Sequence, residues 1–139
     1  MSIFIKSYSI EEYREIRPAR IKTSHRYLPS NYASGINFET EDEANKFLQL
    51  EDLLNSGKIT KLRLQPLFEL QSKFVHDGEK HRAIHYNPDF MYYLPGTENT
   101  GNFIIEDRKG YNYTMWNLKR KLFLYQNPTI VVLPYGQYR

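Results

Sequence analysis

The sequence contains no cysteine. Disulfide scaffolds, thiolate zinc sites, iron–sulfur clusters and cysteine nucleophiles are excluded together, and any metal must be held by oxygen or imidazole. Long apolar runs are missing too. No stretch approaches the roughly 18 residues of a membrane span, and the opening MSIFIKSYSIEEYREIR lacks the apolar core of a secretory signal. A cytoplasmic protein without a membrane partner is the expectation. There is no large charge excess, since 19 Lys+Arg against 16 Asp+Glu leave +3 at pH 7. That balance weakly favours a polyanionic partner without identifying one. Neither internal repeats nor low-complexity tracts occur. What remains is 139 residues, 40% hydrophobic and 15% aromatic, enough apolar material for one compact domain.

Residues 1–35 read as an N-terminal arm. Ser9 and Glu12 have capping-box spacing for a short helix that Pro18 limits. The segment then turns basic, with Arg17, Arg20, Lys22, His25 and Arg26 close together before the turn-prone Pro29-Ser30-Asn31 and Gly35. Residues 36–139 read as the domain proper. A helix is expected from Thr40, which precedes Glu41, Asp42 and Glu43 where the helix dipole favours acids, and Gly57 marks its end. Its apolar stripe is Phe47, Leu50 and Leu54, and Glu43 falls on that stripe. An acid there must be desolvated, paired or bound to a cation, unless it escapes at the helix end.

Three strand-like segments follow, Lys61–Phe74, His81–Leu94 and Asn102–Lys109, separated by Asp77-Gly78 and Pro95-Gly96-Thr97. They suggest an antiparallel meander in which Pro66 demands an edge position or a bulge. A second helix fits Thr114–Tyr125, with Met115, Leu118, Leu122 and Tyr125 as its apolar side and Lys119, Arg120 and Lys121 in its middle. Thr129–Leu133 then reads as a buried strand reached by a helical crossover. The order is helix, three strands, helix, strand.

Two strand segments carry acids among apolar and aromatic residues: Asn87-Pro88-Asp89-Phe90 and Ile104-Ile105-Glu106-Asp107-Arg108-Lys109-Gly110. Strand alternation sets Asp107 and Lys109 on the face of Phe103 and Ile105, with Glu106 and Arg108 on the other. With Asp89 on the neighbouring strand, two carboxylates can converge on one hard cation beside Lys109, and Glu43 can complete the cluster from the helix. That constellation suits phosphodiester hydrolysis. A carboxylate-held Mg²⁺ acidifies water and neutralises phosphate, while the ammonium orients the water or stabilises the pentacoordinate oxygens. The spacing alone fits a surface Asp107–Lys109 ion pair and a turn-forming Asp89 better than it fits a site.

Five stretches in this order resemble the PD-(D/E)XK nuclease superfamily, and within it a family of small phage and prophage endonucleases. They are Phe38-Glu39-Thr40-Glu41-Asp42-Glu43-Ala44, Leu64-Gln65-Pro66 with Phe68 and Leu70, Pro88-Asp89-Phe90, Ile105-Glu106-Asp107-Arg108-Lys109-Gly110 and Leu118-Lys119-Arg120-Lys121-Leu122, covering about residues 36–133. The resemblance implies a restriction-endonuclease-like αβββαβ core, a mixed sheet flanked by helices, preceded by the basic arm. It also implies a Mg²⁺-dependent DNA endonuclease, with Mn²⁺ as a substitute. Asp89 and Asp107 would be the principal metal ligands, Lys109 would act on the attacking water, Glu43 would bind or orient a metal directly or through water, and Gln65 would line the site. Nothing carries over onto the arm.

The leading expectation is a structure-selective endonuclease for branched DNA, such as a Holliday-junction-resolvase-like enzyme of phage replication or recombination. It would act in a bacterial host's cytoplasm. A chain this short has no room for a separate sequence-reading domain, so backbone charge and DNA shape would carry recognition. Two strands to cut favour a homodimer. Lys119, Arg120 and Lys121, with Arg17, Arg20, Lys22 and Arg26, are the candidate phosphate contacts. Trp116, Tyr111 and Tyr113 could stack on bases but suit core packing better. The competing readings are an endonuclease without branch selectivity and a non-catalytic nucleic-acid-binding protein on a nuclease fold.

Overall fold

The computed structural model describes residues 3–18, 30–108 and 113–136. It is a mixed α/β domain in which one mixed sheet is flanked by helices. Lys109, Arg20, Lys22 and Arg26, all expected at the site or on DNA, lie outside the described residues, as do His25 and Tyr111.

The first element is not a detached arm. Strand β1 (Ile3–Tyr8) is an edge of the main sheet, antiparallel to the long strand β4 (Thr60–Gln71). Helix α1 (Ile10–Ile16) begins with the expected capping box, Ser9 and Glu12 satisfying each other's backbone N–H. Tyr13 plugs its buried side into the core, so residues 3–16 are built into the domain. A small hairpin, β2 (Tyr32–Ala33) with β3 (Ile36–Asn37), leads to helix α2 (Glu41–Asn55). Thr40 caps it by accepting from the Glu43 N–H, and Gly57 leaves it at φ +76°.

Strand β4 carries the sheet. Its first half pairs with β8 (Phe90–Tyr93) and its second with β7 (Ile84–Tyr86), while the hairpin β5 (Phe74–His76) and β6 (Glu79–His81) turns at Asp77-Gly78 beyond its end. Pro66 therefore sits within a central strand, and a bulge accommodates it. Lys6 to Tyr8 of β1 faces Leu67 to Leu64 of β4, so β4 holds one extra residue there. Gln65 takes the left-handed conformation at φ +51°. The bulge also reverses the strand's faces. Leu62 and Leu64 join the core under α2, whereas Phe68 and Leu70, of the same parity, join the core under α3.

Strand β9 (Ile104–Arg108) is antiparallel to β8, and helix α3 (Tyr113–Gln126) crosses over to β10 (Val131–Tyr135), parallel to β9. The strand order is β1-β4-β8-β9-β10. Phe38, Phe47, Leu50, Leu64 and Phe90 centre the core on the α2 face; Phe68, Tyr86, Ile105 and Phe123 centre the other.

Two expectations about the C-terminal third are corrected. The buried stripe of α3 is not Met115, Leu118 and Tyr125, which are exposed; its fully buried anchor is Phe123. Trp116 and Arg120 share Phe123's side of the helix, so polar-ended residues occupy the inner face and hydropathy alone selects the wrong one. The last strand is an edge, with Val132 buried and Val131 and Leu133 exposed. No helix among the described residues is long and apolar enough to cross a membrane.

Candidate functional site

Acids gather where β8 begins and β9 and β10 end. Register sets Phe90 opposite Glu106, so continuing the β8–β9 ladder by one residue brings Asp89 opposite Asp107. Two like charges at one cross-strand position are unfavourable, and a fold keeps them only when something else stabilises or uses them. Backbone geometry ties them together: the Arg108 N–H donates to Asp89 Oδ2 at 3.0 Å.

Neutral donors hold each carboxylate. Tyr135, at the end of β10, donates its hydroxyl to Asp89 Oδ2 at 2.6 Å. Asp107 Oδ2 accepts from the Tyr86 hydroxyl at 2.8 Å and from Trp116 Nε1 at 2.9 Å. Gln65, aimed by its left-handed backbone, donates from Nε2 to Glu43 Oε1 at 3.0 Å and to Asp89 Oδ1 at 3.4 Å. The bulge that aims it is clamped by Asn87, whose Nδ2 donates to the carbonyls of Gln65 at 3.1 Å and Pro66 at 2.9 Å. Glu43 comes from the first turn of α2 and is buried on that helix's inner face, as its place on the apolar stripe requires.

None of Glu43, Asp89 and Asp107 forms a salt bridge with a described residue. Burial, then the charge of Asp89, pushes Asp107 up to about 7. Burial, then Asp89 and Glu39, pushes Glu43 up to about 8. Asp89 is also raised by burial, against the lowering pull of Tyr135, the Arg108 N–H and Gln65. The donors suffer in turn. Burial and the adjacent carboxylate charges drive the phenols of Tyr86 and Tyr135 far above their usual range, so both remain protonated donors.

Alternation along β9 places the acids as expected. Asp107 points with Ile105 toward α3, where Trp116 meets it, while Glu106 and Arg108 point toward α2. Glu106 is neutralised there, 3.0 Å from Lys46 Nζ, and accepts from the Tyr92 hydroxyl at 2.7 Å. Arg108 pairs with Asp42 at 3.0 Å. Both have structural partners and leave Asp107 as the chemically unspent acid of the strand.

A hard divalent cation takes oxygen ligands, and Mg²⁺ typically uses one or two carboxylates and keeps several waters. The donor set fits that pattern. Asp89 and Asp107 have each committed Oδ2 to neutral donors. Among the described residues, no group of three or more acids and histidines is close enough to cage an ion. Glu43 is linked to Asp89 through the Gln65 amide, a position suited to acting through water.

The expected phosphate contacts are less uniform. Arg17 donates from Nε to the Asn37 carbonyl and lies 4.0 Å from Glu39, so it ties α1 to the β2–β3 hairpin. The Arg120 guanidinium lies over the Trp116 ring at 5.5 Å, with its Nε buried and lacking a hydrogen-bond partner. Lys121 is exposed and Lys119 half-buried. His81 stacks on Phe74 and approaches Glu79 at 3.6 Å. Trp116, expected as packing, instead fixes Asp107. Tyr86 and Tyr135 were not legible as site residues, because a tyrosine's partner across strands leaves no local pattern; only their places near the ends of apolar runs distinguish them.

Fold and site together define a mixed α/β domain with an acidic cluster, in salt bridges with no described cation, at one end of its central strands. The chain belongs to a family described as protein of unknown function (DUF1064), which matches residues 30–135. Neither the curated proteins nor the solved structures contain a match to it.

Proposed function

We propose that the protein is a metal-dependent DNA endonuclease with a restriction-endonuclease-like αβββαβ core formed by α2, β4, β8, β9, α3 and β10. The observation that carries this reading is the pair Asp89 and Asp107, held in place by neutral donors and both raised in pKa by burial, Asp107 further by the charge of Asp89, with no salt bridge from a described cation to either. Purely structural acids are neutralised, as Glu106 is by Lys46. Acids left unbalanced at a strand end suit a divalent cation and an anionic substrate.

Asp89 and Asp107 are the residues that would hold Mg²⁺, or Mn²⁺ in its place, with Glu43 acting through water. Bound there, such an ion supplies charge neutralisation for a phosphodiester and a more acidic attacking water. The chain's own contribution is preorganisation. Tyr135, Tyr86, Trp116 and Gln65 fix the acids so that little reorganisation is needed when phosphate arrives. Lys109, two residues beyond Asp107, is assigned to orient the attacking water. Lys119 and Lys121 on α3 are assigned to the DNA backbone. Branched DNA is the proposed substrate, recognised through backbone charge and DNA shape, and two cut strands favour a homodimer.

The test is cleavage of a labelled four-way junction and its matched linear duplex, in Mg²⁺ and in EDTA, by the wild type and Asp107→Asn. Metal-dependent cutting of the junction that the variant loses supports the proposal. Equal cutting of both DNAs removes branch selectivity, and binding without cutting in any metal replaces the enzyme with a binding protein.

A further inference from the structure

Beside the acids lies a groove of about 410 Å³ between α1, β1 and the bulge of β4. Lys6, Tyr8, Arg17, Gln65 and Asn87 line it, so the N-terminal segment and the bulge of β4 build it together. A smaller cavity of about 220 Å³ shares Ile16 and Arg17 and extends the groove past Pro18 and Asn37. Gln65 is the junction with the acidic site, since the amide that bounds the groove also donates to Glu43 and Asp89. Whatever occupies the groove therefore touches the residue that joins two of the three acids.

Its chemistry is aromatic and cationic at one end and polar at the other. The Lys6 ammonium lies 5.5 Å over the Tyr8 ring, and Lys6 is exposed and forms no salt bridge with a described residue. Arg17 is partly neutralised by Glu39, which also lines the groove, so among the described lining residues Lys6 supplies the available positive charge. Tyr8 rests against Tyr13 at a ring separation of 6.0 Å, which stiffens it as a platform. A cavity near the lower end of the range of about 300–1,000 Å³ typical of small-ligand sites has room for one nucleotide. Stacking on an aromatic ring with a cation on the adjoining phosphate is the general mode of binding single strands.

We infer that this groove is a subsite for an unpaired nucleotide of the DNA strand that enters the acidic site, its base stacked on Tyr8 in place of the Lys6 ammonium and its phosphate on Lys6. The inference rests on the nuclease reading for the neighbouring acids and sharpens it: the substrate carries an unpaired arm next to the cut. The β1 edge and α1 then act as the wall that selects splayed strands over intact duplex.

The experiment is fluorescence anisotropy with Asp107→Asn protein and three labelled DNAs: a blunt duplex, the same duplex with a short unpaired thymidine arm, and the arm's strand alone. The tailed duplex should bind more tightly than the blunt one. Lys6→Glu and Tyr8→Leu should each weaken tailed binding about tenfold, a loss typical of one stacked base, and leave blunt binding within about twofold. Lys6 is exposed on an edge strand, so Lys6→Glu reports even where Tyr8→Leu fails to fold. No preference for the tail, or equal losses on both DNAs, overturns the inference. Wild-type cleavage in Mg²⁺ separates the two claims: selective binding without any cutting keeps the subsite and removes the nuclease, while cutting with arm binding indifferent to both variants does the reverse.

Discussion

Glu106 and Asp107 are adjacent in one strand and both are buried, yet the protein treats them in opposite ways. Glu106 faces α2 and meets a lysine at 3.0 Å and a tyrosine hydroxyl at 2.7 Å; the Lys46 ammonium also lies 5.4 Å over the Tyr135 ring. Asp107 faces α3 and meets only neutral donors, and the nearby Asp89 charge adds to what burial already costs. A buried carboxylate with its counter-charge in the protein is part of the scaffold. One that no described cation neutralises is a candidate for chemistry rather than scaffolding.

Activity should break this comparison most strongly. Asp107→Asn and Asp89→Asn are each expected to lower DNA cleavage by at least about a hundredfold, while Glu106→Gln stays within about threefold of wild type. Single-turnover cleavage in Mg²⁺ measures this, and a dead Glu106→Gln enzyme with wild-type secondary structure would move the chemistry to the wrong face of the strand.

Stability should invert the order. Glu106→Gln leaves Lys46 facing a neutral amide in a site where the two side chains are only 20% and 9% exposed. A loss of roughly 2 kcal/mol is expected, because the buried ammonium stays behind without its partner. Asp107→Asn removes a buried charge that no described residue balances with a salt bridge, so its melting temperature in EDTA at pH 8 should exceed the wild type's. Urea melts of the two variants under those conditions check both signs. A destabilised Asp107→Asn would mean that the hydrogen bonds from Tyr86 and Trp116 outweigh the desolvated charge.

The pH dependence follows from the same imbalance. Asp107 and Glu43 titrate near 7 and 8 in the folded chain, above their unfolded values. Between those values the folded state holds more protons than the unfolded state. The metal-free protein is then most stable below about pH 4 as far as these two groups are concerned, and it loses that stability as pH rises through 7 and 8. Thermal melts in EDTA from pH 5 to pH 8.5 should therefore fall, Asp107→Asn should flatten the fall, and added Mg²⁺ should restore the wild type most at the alkaline end. A flat wild-type profile would show that the acids are already compensated.

What the sequence could reveal of this contrast is set by distance along the chain. The capping residues Ser9 and Thr40, the turn at Asp77-Gly78 and the parity of Glu106 and Asp107 are local patterns with local causes, and each was readable. Glu43 was readable because one helix wheel relates it to Phe47 and Leu50. The partners that distinguish the two acids were not. Lys46 and Tyr92, Trp116 and Tyr86 reach β9 from four different elements, and only the fold decides which acid receives the cation. The α3 face was misread for a related reason. Arg120 looks like a surface residue by composition, and Trp116 reads as plain packing, but the indole N–H of Trp116 meets Asp107 beneath the sheet with the Arg120 guanidinium over its ring.

The smallest effect concerns Gln65, where strain and function can be separated. Its φ of +51° is costly for a residue with a Cβ, by about 1 kcal/mol, and relaxed for glycine. Both Gln65→Ala and Gln65→Gly delete the amide that joins Glu43 to Asp89, so both should slow cleavage by the same modest factor, about tenfold, through misplaced acids. Only alanine keeps the Cβ in the left-handed backbone, so the glycine variant should be the more stable of the two by about 1 kcal/mol in urea. Equal stabilities would mean that the bulge relaxes once the amide is gone, making the interaction with Glu43 and Asp89, rather than Pro66 and the Asn87 clamp, the cause of the strained backbone. A larger activity loss in glycine than in alanine would instead assign the bulge itself, and not the amide, to holding Asp89 in register with Asp107.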